Sequence, residues 1–323
     1  MRTATSLALA AALSLLAAAA HAAEAPYPVR PIRIIVPFPP GAATDTIARL
    51  VAQKMTESWG QQVVVDNRGG AGGNIGMGIA ANASADGYTI LFVSSSFMVN
   101  PGLYRKIPYD PFRSFIPVSN LSASPHIFFA NASQPVKSLP ELINAVKREP
   151  GKYSIATPGI GTVPHLSANL LAIDAKLDLV TVPYAGGGPS LAAVVGNQVP
   201  FGCQAVPPVT PHVQAGRVRA LAFTSAKRTV NFPDVPTMGE LGFKGHESET
   251  ITGMLMPAGT PPAIVRKLYV ETARIIKLPD VSQRILEMGA DVIVSTPQQF
   301  TAQIKSEVTR WGRVVKEANI PAN

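Results

Sequence analysis

The 323-residue chain carries 28 Lys and Arg against 20 Asp and Glu, a formal net charge of +8, yet only 15% of its residues are charged and the basic ones are scattered singly. That scatter excludes nucleic acid and anionic-lipid surfaces as partners, while a mild positive field still draws small anions from solution. The length suffices for two ordinary domains with real cores, and the single cysteine, Cys203, excludes an internal disulfide; its strand-like neighbours make it a buried, inert thiol.

Met1 and Arg2 form a short basic start, and Leu7 to Ala20 is an apolar run too short to span a bilayer comfortably. Ala20-His21-Ala22 is a small-x-small cleavage pattern, so residues 1–22 are expected to be a signal peptide cut near Ala22 and the mature protein periplasmic. Beyond it, short β-branched runs alternate with helical stretches, the pattern of βα units and a mainly parallel sheet; the expected class is α/β. Ile32 to Val36 reads as a strand, Thr46 to Trp59 as a helix with Ile47, Leu50, Val51 and Met55 on one face, and Val63 to Val65 and Thr89 to Val93 as further strands.

From Pro135 the rhythm restarts. Helices are expected at Leu139 to Lys147, Pro164 to Ile173 and Ser190 to Val195, and strands at Tyr153 to Ala156, Val180 to Pro183 and Val199 to Cys203. Three helices, Pro262 to Lys277, Val281 to Met288 and Pro297 to Ala318, end the chain. Crossings at Asn120 to Ala130 and Ala220 to Thr224 would give a discontinuous first domain, 26–124 with 225–323, around a second, 125–224. Such an arrangement makes a hinged cleft.

Three strand-to-helix loops stand where ligands of open α/β sheets sit. In Pro37 to Asp45 the prolines stiffen the loop and Gly41 and Ala42 leave N–H groups uncovered at a helix start, an anion seat; equally, Thr44 or Asp45 simply caps the helix. Thr157 to His165 repeats the design, with Thr162 placed to cap or donate and His165 placed to hydrogen-bond a ligand or to serve the structure. Tyr184 to Pro189, with Gly187 at its centre, offers more backbone donors and an aromatic face, or is a flexible turn. Neither Pro37 to Thr44 nor Thr157 to His165 contains Lys or Arg. The run Asn67 to Gly76 has Ile75 where a dinucleotide loop needs its last glycine, so it is read as tight loop packing. No G-x-S-x-G, H-E-x-x-H, Walker loop or spaced Cys/His set is present, and neither a cofactor nor a metal is expected.

Pro37 to Asp45, Asn67 to Gly76, Asp86-Gly87-Tyr88, Asn100-Pro101, Gly159 to Leu166, Val182-Pro183-Tyr184, Val235-Pro236-Thr237 and Pro257 to Pro261 together resemble the Bug family, the substrate-binding proteins of tripartite tricarboxylate transporters. The resemblance implies a periplasmic binding protein of type II, a Venus flytrap that is not an enzyme. It implies capture of a small organic carboxylate and a monomer that delivers it to the membrane subunits of such a transporter. Sensor duty for a receptor kinase, or hydrolysis, are the alternatives. Carried over residue by residue, it places Phe38, Gly41, Ala42 and Asp45 around the ligand from the first domain, and Thr157, Gly159, Gly161, Thr162 and His165 from the second. Ala42 stands where a second glycine is usual, Ile251 where a tryptophan is common and Pro200 where an aspartate is frequent.

Overall fold

The computed structural model describes residues 27–41, 43–229 and 232–321, so the expected signal peptide and Ala42 lie outside the described residues. In chain order the elements begin with β1 (Ile32–Val36), α1 (Ala43–Trp59), β2 (Val63–Asn67), a 3-10 turn at Ala71–Gly73, α2 (Asn74–Ala81), β3 (Thr89–Val93) and α3 (Ser96–Leu103). β4 (Phe115–Asn131), α4 (Leu139–Arg148), β5 (Ser154–Thr157), α5 (Val163–Asp174), β6 (Val180–Pro183) and α6 (Gly187–Val195) follow. Then come β7 (Phe201–Ala205), α7 (Val206–Gln214), β8 (Val218–Phe223), β9 (Glu249–Pro257), α8 (Pro262–Ile276), α9 (Pro279–Glu287), β10 (Asp291–Val292) and α10 (Pro297–Glu317). The class is α/β, as the alternation of runs requires.

One sheet runs through the molecule in the order β2-β1-β3-β9-β4-β7-β5-β6, with β8 and β10 also on β4. The 17-residue β4 belongs to both halves: Phe115 to Pro125 pair with β9, and His126 to Ala130 with β7. After β8 the chain keeps packing on the second half: Phe232 and Val235 join one of its clusters, and Met238, Leu241 and Phe243 another. The change of sides comes at Ser248 and Glu249, where β9 begins.

Each half has its own core. Ile32, Ile34 and Val36 of β1, Ile47, Val51 and Met55 of α1 and Leu268 and Ile275 of α8 are all inaccessible and form the first. Phe128, Leu142, Val146, Ile155, Leu171 and Phe201 form the second, and Cys203 lies within it, its burial pushing the thiol pKa far up. A further cluster joins the halves: Val99 and Leu103 of α3, Leu166 and Leu170 of α5, and Trp311 and Val314 of α10. At the crossing point Thr224 ties His126 to Ser248 through backbone and hydroxyl bonds, and the Ser167 hydroxyl of α5 lies 2.7 Å from that of Ser248. No helix among the described residues is long and apolar enough to cross a membrane.

Candidate functional site

Strand directions fix where the loops meet. β3 and β4 both run antiparallel to β9, so β3, with the parallel β1 and β2, points the same way as β4, toward the second half. β7 runs antiparallel to β4, and β5 and β6 run parallel to β7, so their carboxyl ends point back. The loops after β1 and β3 therefore face those after β5, β6 and β7, the crevice position of open α/β sheets.

On the first half, Asp45 organises its loop. Only 2% exposed, it accepts the Gly41 N–H at 2.9 Å, the Asn67 amide at 2.9 Å and the Arg49 guanidinium at 3.0 and 3.1 Å. Burial alone would raise its pKa; the hydrogen bonds from Arg49, Gly41 and Asn67 outweigh that and hold the carboxyl below the usual range. The Gly41 donor, read from the sequence as uncovered, is thus satisfied by the helix's own carboxylate. The half-buried Phe38 packs on the first core and its carbonyl accepts from Asn67 at 3.0 Å. The glycine run packs beneath: a Cβ on Gly76 would lie 2.8 Å from Pro37 Cβ and 2.6 Å from Arg68 O. Arg68 itself is engaged with Asp66.

On the second half, Thr157 ends β5 with no exposure, its carbonyl accepting the Tyr184 N–H at 2.9 Å and its hydroxyl without a partner among the described residues. The Gly159 carbonyl accepts from the Thr162 hydroxyl at 2.8 Å, and Thr162 caps α5 by accepting the His165 N–H. Gly161, at φ +74°, donates its N–H to His165 Nδ1 at 3.4 Å. Burial depresses the His165 pKa to about 4, so at neutral pH its ring is uncharged and serves the loop as an acceptor. Gly159 and Tyr184 put the two loops in contact, a Cβ on Gly159 falling 3.3 Å from Tyr184 O. Gly187 opens α6 behind Gly186 (φ +127°), and no side chain caps that helix.

Thr157, Gly159, Gly161, Thr162, His165 and Tyr184 thus form one connected set, and Phe38, Gly41 and Asp45 another. They are linked through the end of α3, where Leu103 stands against Gly161 and Tyr104 against Gly72. The sequence reading missed Ser94, Ser95 and Ser96 at the end of β3. Ser95 is buried, donating to Glu249 O at 2.9 Å and accepting the Ile251 N–H at 3.0 Å, while Ser94 and Ser96 stay half-exposed. Three serines directly after a predicted strand were the available signal. Arg49 is engaged with Asp45 and Asn67. Among the described residues no three His, Cys, Asp or Glu gather to hold a metal.

The sequence matches the family model for the tripartite tricarboxylate transporter family receptor over residues 47–320. Among solved structures it is similar to the periplasmic binding protein BugD, 36% identical, covering 91% of this chain and 99% of that one with a TM-score of 0.74. It is similar to a protein of R. palustris solved with adipate, 32% identical over 92% of this chain and 99% of that one, TM-score 0.77. MatC from Rhodopseudomonas palustris, with bound malate, is 33% identical over 90% of this chain and 100% of its own, TM-score 0.74.

Proposed function

The chain belongs to the Bug family of tripartite tricarboxylate transporter receptors, whose members are periplasmic solute-binding proteins, and from that premise we propose that it captures a small organic carboxylate between its halves. It then hands the acid, chemically unchanged, to the membrane subunits of a tripartite transporter. What supports this reading is that loops without Lys or Arg, Pro37 to Thr44 and Thr157 to His165, follow strand ends of the two halves that point toward one another, with the Thr157 hydroxyl left without a partner among the described residues. Relatives of the same fold with adipate and malate support the ligand class.

In this proposal Thr157, Gly159, Gly161, Thr162, Tyr184 and Gly187 contact the ligand from one side and Phe38, Gly41 and Ala42 from the other. Asp45 and His165 hold the two loops in shape. Residues 27–124 with 249–321 form one domain and 125–248 the other, closing about β4 and the start of β9 as a monomer. The signal peptide is removed near Ala22 on export to the periplasm; N-terminal sequencing of the periplasmic protein should begin near Ala23, and an intact chain in the membrane fraction would contradict export.

Hydrogen bonds to a charged group contribute about 1.5–3 kcal/mol each, so two at one carboxylate give about 3–6 kcal/mol. A micromolar Kd needs about 8.2 kcal/mol. The ligand therefore brings a second polar group or a body that packs on Phe38 and Tyr184. A thermal-shift panel tests this: dicarboxylates should raise the melting temperature, acetate should not, and a panel in which no acid shifts it would refute the reading. Scattering should give a smaller radius with the best acid; an unchanged profile at saturation argues against closure.

A further inference from the structure

Residues 245–248, the last stretch before β9, are pinned from two sides. The second half holds them by side chains: His246, 3% exposed, has Nε2 2.8 Å from the Asp174 carboxylate at the end of α5, and the Ser248 hydroxyl lies 2.7 Å from that of Ser167 on the same helix. The first half holds them by their carbonyls. Arg310 of α10 donates from Nη1 to Gly245 O at 3.1 Å and to Glu247 O, the two carbonyls that flank His246. Its Nη2 is fixed by Glu307 at 2.6 Å, and its guanidinium lies 4.3 Å from the centre of the Trp311 ring. Among the described residues no other hydrogen bond joins α10 to this stretch.

Beside that contact the halves are not packed together. A cavity of about 180 Å³ opens between the stretch and α10, lined by Ser248, Glu249, Ile251, Gln303, Glu307 and Arg310 itself. Protein interiors are otherwise filled to the density of organic crystals, so a gap at the point where the chain changes sides leaves room for the halves to shift there. The guanidinium spans it. Its bonds to the carbonyls are charge-assisted, its side chain is only 17% exposed, and neither carbonyl has another donor among the described residues. Removing the guanidinium therefore frees both carbonyls at once and unties this side of the crossing.

Building on the reading that the halves close on a carboxylate, we infer that Arg310 is a positioning residue: it ties α10 to the chain entering β9 and holds the halves near the closed arrangement before a ligand arrives. The ligand then meets a binding-competent fraction already populated, and its apparent Kd rises in proportion as that fraction falls. Arg310→Met keeps an apolar stem on Trp311 and removes every donor. Without ligand it should scatter with a larger radius than the wild type, while the two acid-bound radii agree. The acid is whichever of succinate, malate, glutarate and adipate most raises the wild type's melting temperature, and calorimetry should find it bound at least about tenfold more weakly by Arg310→Met. Arg310→Lys keeps the stem and the charge but puts a single ammonium where a fork was, so it should lie between, at about threefold. It decides the matter if the Met variant fails to fold. An Arg310→Met protein whose urea midpoint drops while its ligand-free radius and affinity match the wild type has lost packing alone, and overturns the assignment. So does an Arg310→Lys protein equal to the wild type in both. If none of the four acids binds the wild type, it is the carboxylate reading that falls, and the ligand-free radii alone decide the tether.

Discussion

Gly161→Ala is the most exacting perturbation of the loop after β5, because two separate costs can be worked out for it. At φ +74° a residue with a Cβ sits in the left-handed region, a cost of about 1–2 kcal/mol. The added methyl would also lie 2.0 Å from Leu103 Cδ2, inside the cluster that joins α3 to α5. Overpacking of that kind costs about 1–3 kcal/mol, for a sum of about 2–5 kcal/mol. Gly41→Ala is the control: its φ of +89° carries the same strain, but nothing lies within 4 Å of the new Cβ, so only the first cost applies. Urea unfolding measures both. In a Leu103→Ala background the collision is gone, and Gly161→Ala should cost only about 1–2 kcal/mol, the strain alone. Equal costs for Gly41→Ala and Gly161→Ala, or a Gly161→Ala cost untouched by Leu103→Ala, would refute the claim that this loop is braced against the first half.

Asp45→Ala releases the Gly41 N–H, the Asn67 amide and Arg49 together, and should cost about 2–4 kcal/mol in unfolding and weaken acid binding through disorder of the loop. Its depressed carboxyl pKa contributes stability that is present above the unfolded value near 4 and lost as pH falls through the folded one, so the variant should lose that part of the wild type's acid sensitivity. His126 and His165 are held neutral by burial, with pKa values of about 3 and about 4. The unfolded chain binds their protons first, so stability should be full above about pH 6.5 and fall between there and about pH 4; a pH series of urea midpoints that stays flat over this window would contradict it. Trp311→Ala, at 0% exposure between the halves, should cost about 3–5 kcal/mol by thermal or urea unfolding. Arg68→Ala should change binding less than threefold by calorimetry, since about half of its side chain is exposed and its guanidinium is engaged with Asp66.

Much of the architecture was legible because each signal was local. β-branched runs such as Ile32 to Val36 and the 3.6-residue spacing of Ile47, Leu50, Val51 and Met55 depend on near neighbours alone, and both formed as expected, α1 merely starting three residues earlier, at Ala43. α7 was not among the expected helices: its sequence holds Pro207 and Pro208, which a first turn tolerates, and Pro211 inside the helix, where proline is normally a breaker. That Met238, Leu241 and Phe243 pack against the second core after β8 was not legible, because it is a long-range choice no window of sequence records. The loops of the candidate site were recognisable from Gly, Pro and Thr at strand ends, but their internal bonding was not. That Asp45 fills the seat at Gly41 and that His165 braces Gly161 are facts of three-dimensional pairing.

The central claim is that a carboxylate is held by backbone and hydroxyl donors rather than by a cation, and a crystal structure of the protein with the best acid from the panel tests it most directly. The predicted result is an acid lying between the halves, one carboxylate within about 3 Å of N–H and hydroxyl groups of Thr157 to His165 and no Lys or Arg side chain in hydrogen-bond reach of it. An acid paired with a lysine or arginine, or seated away from the loops after β1 and β5, would contradict the account.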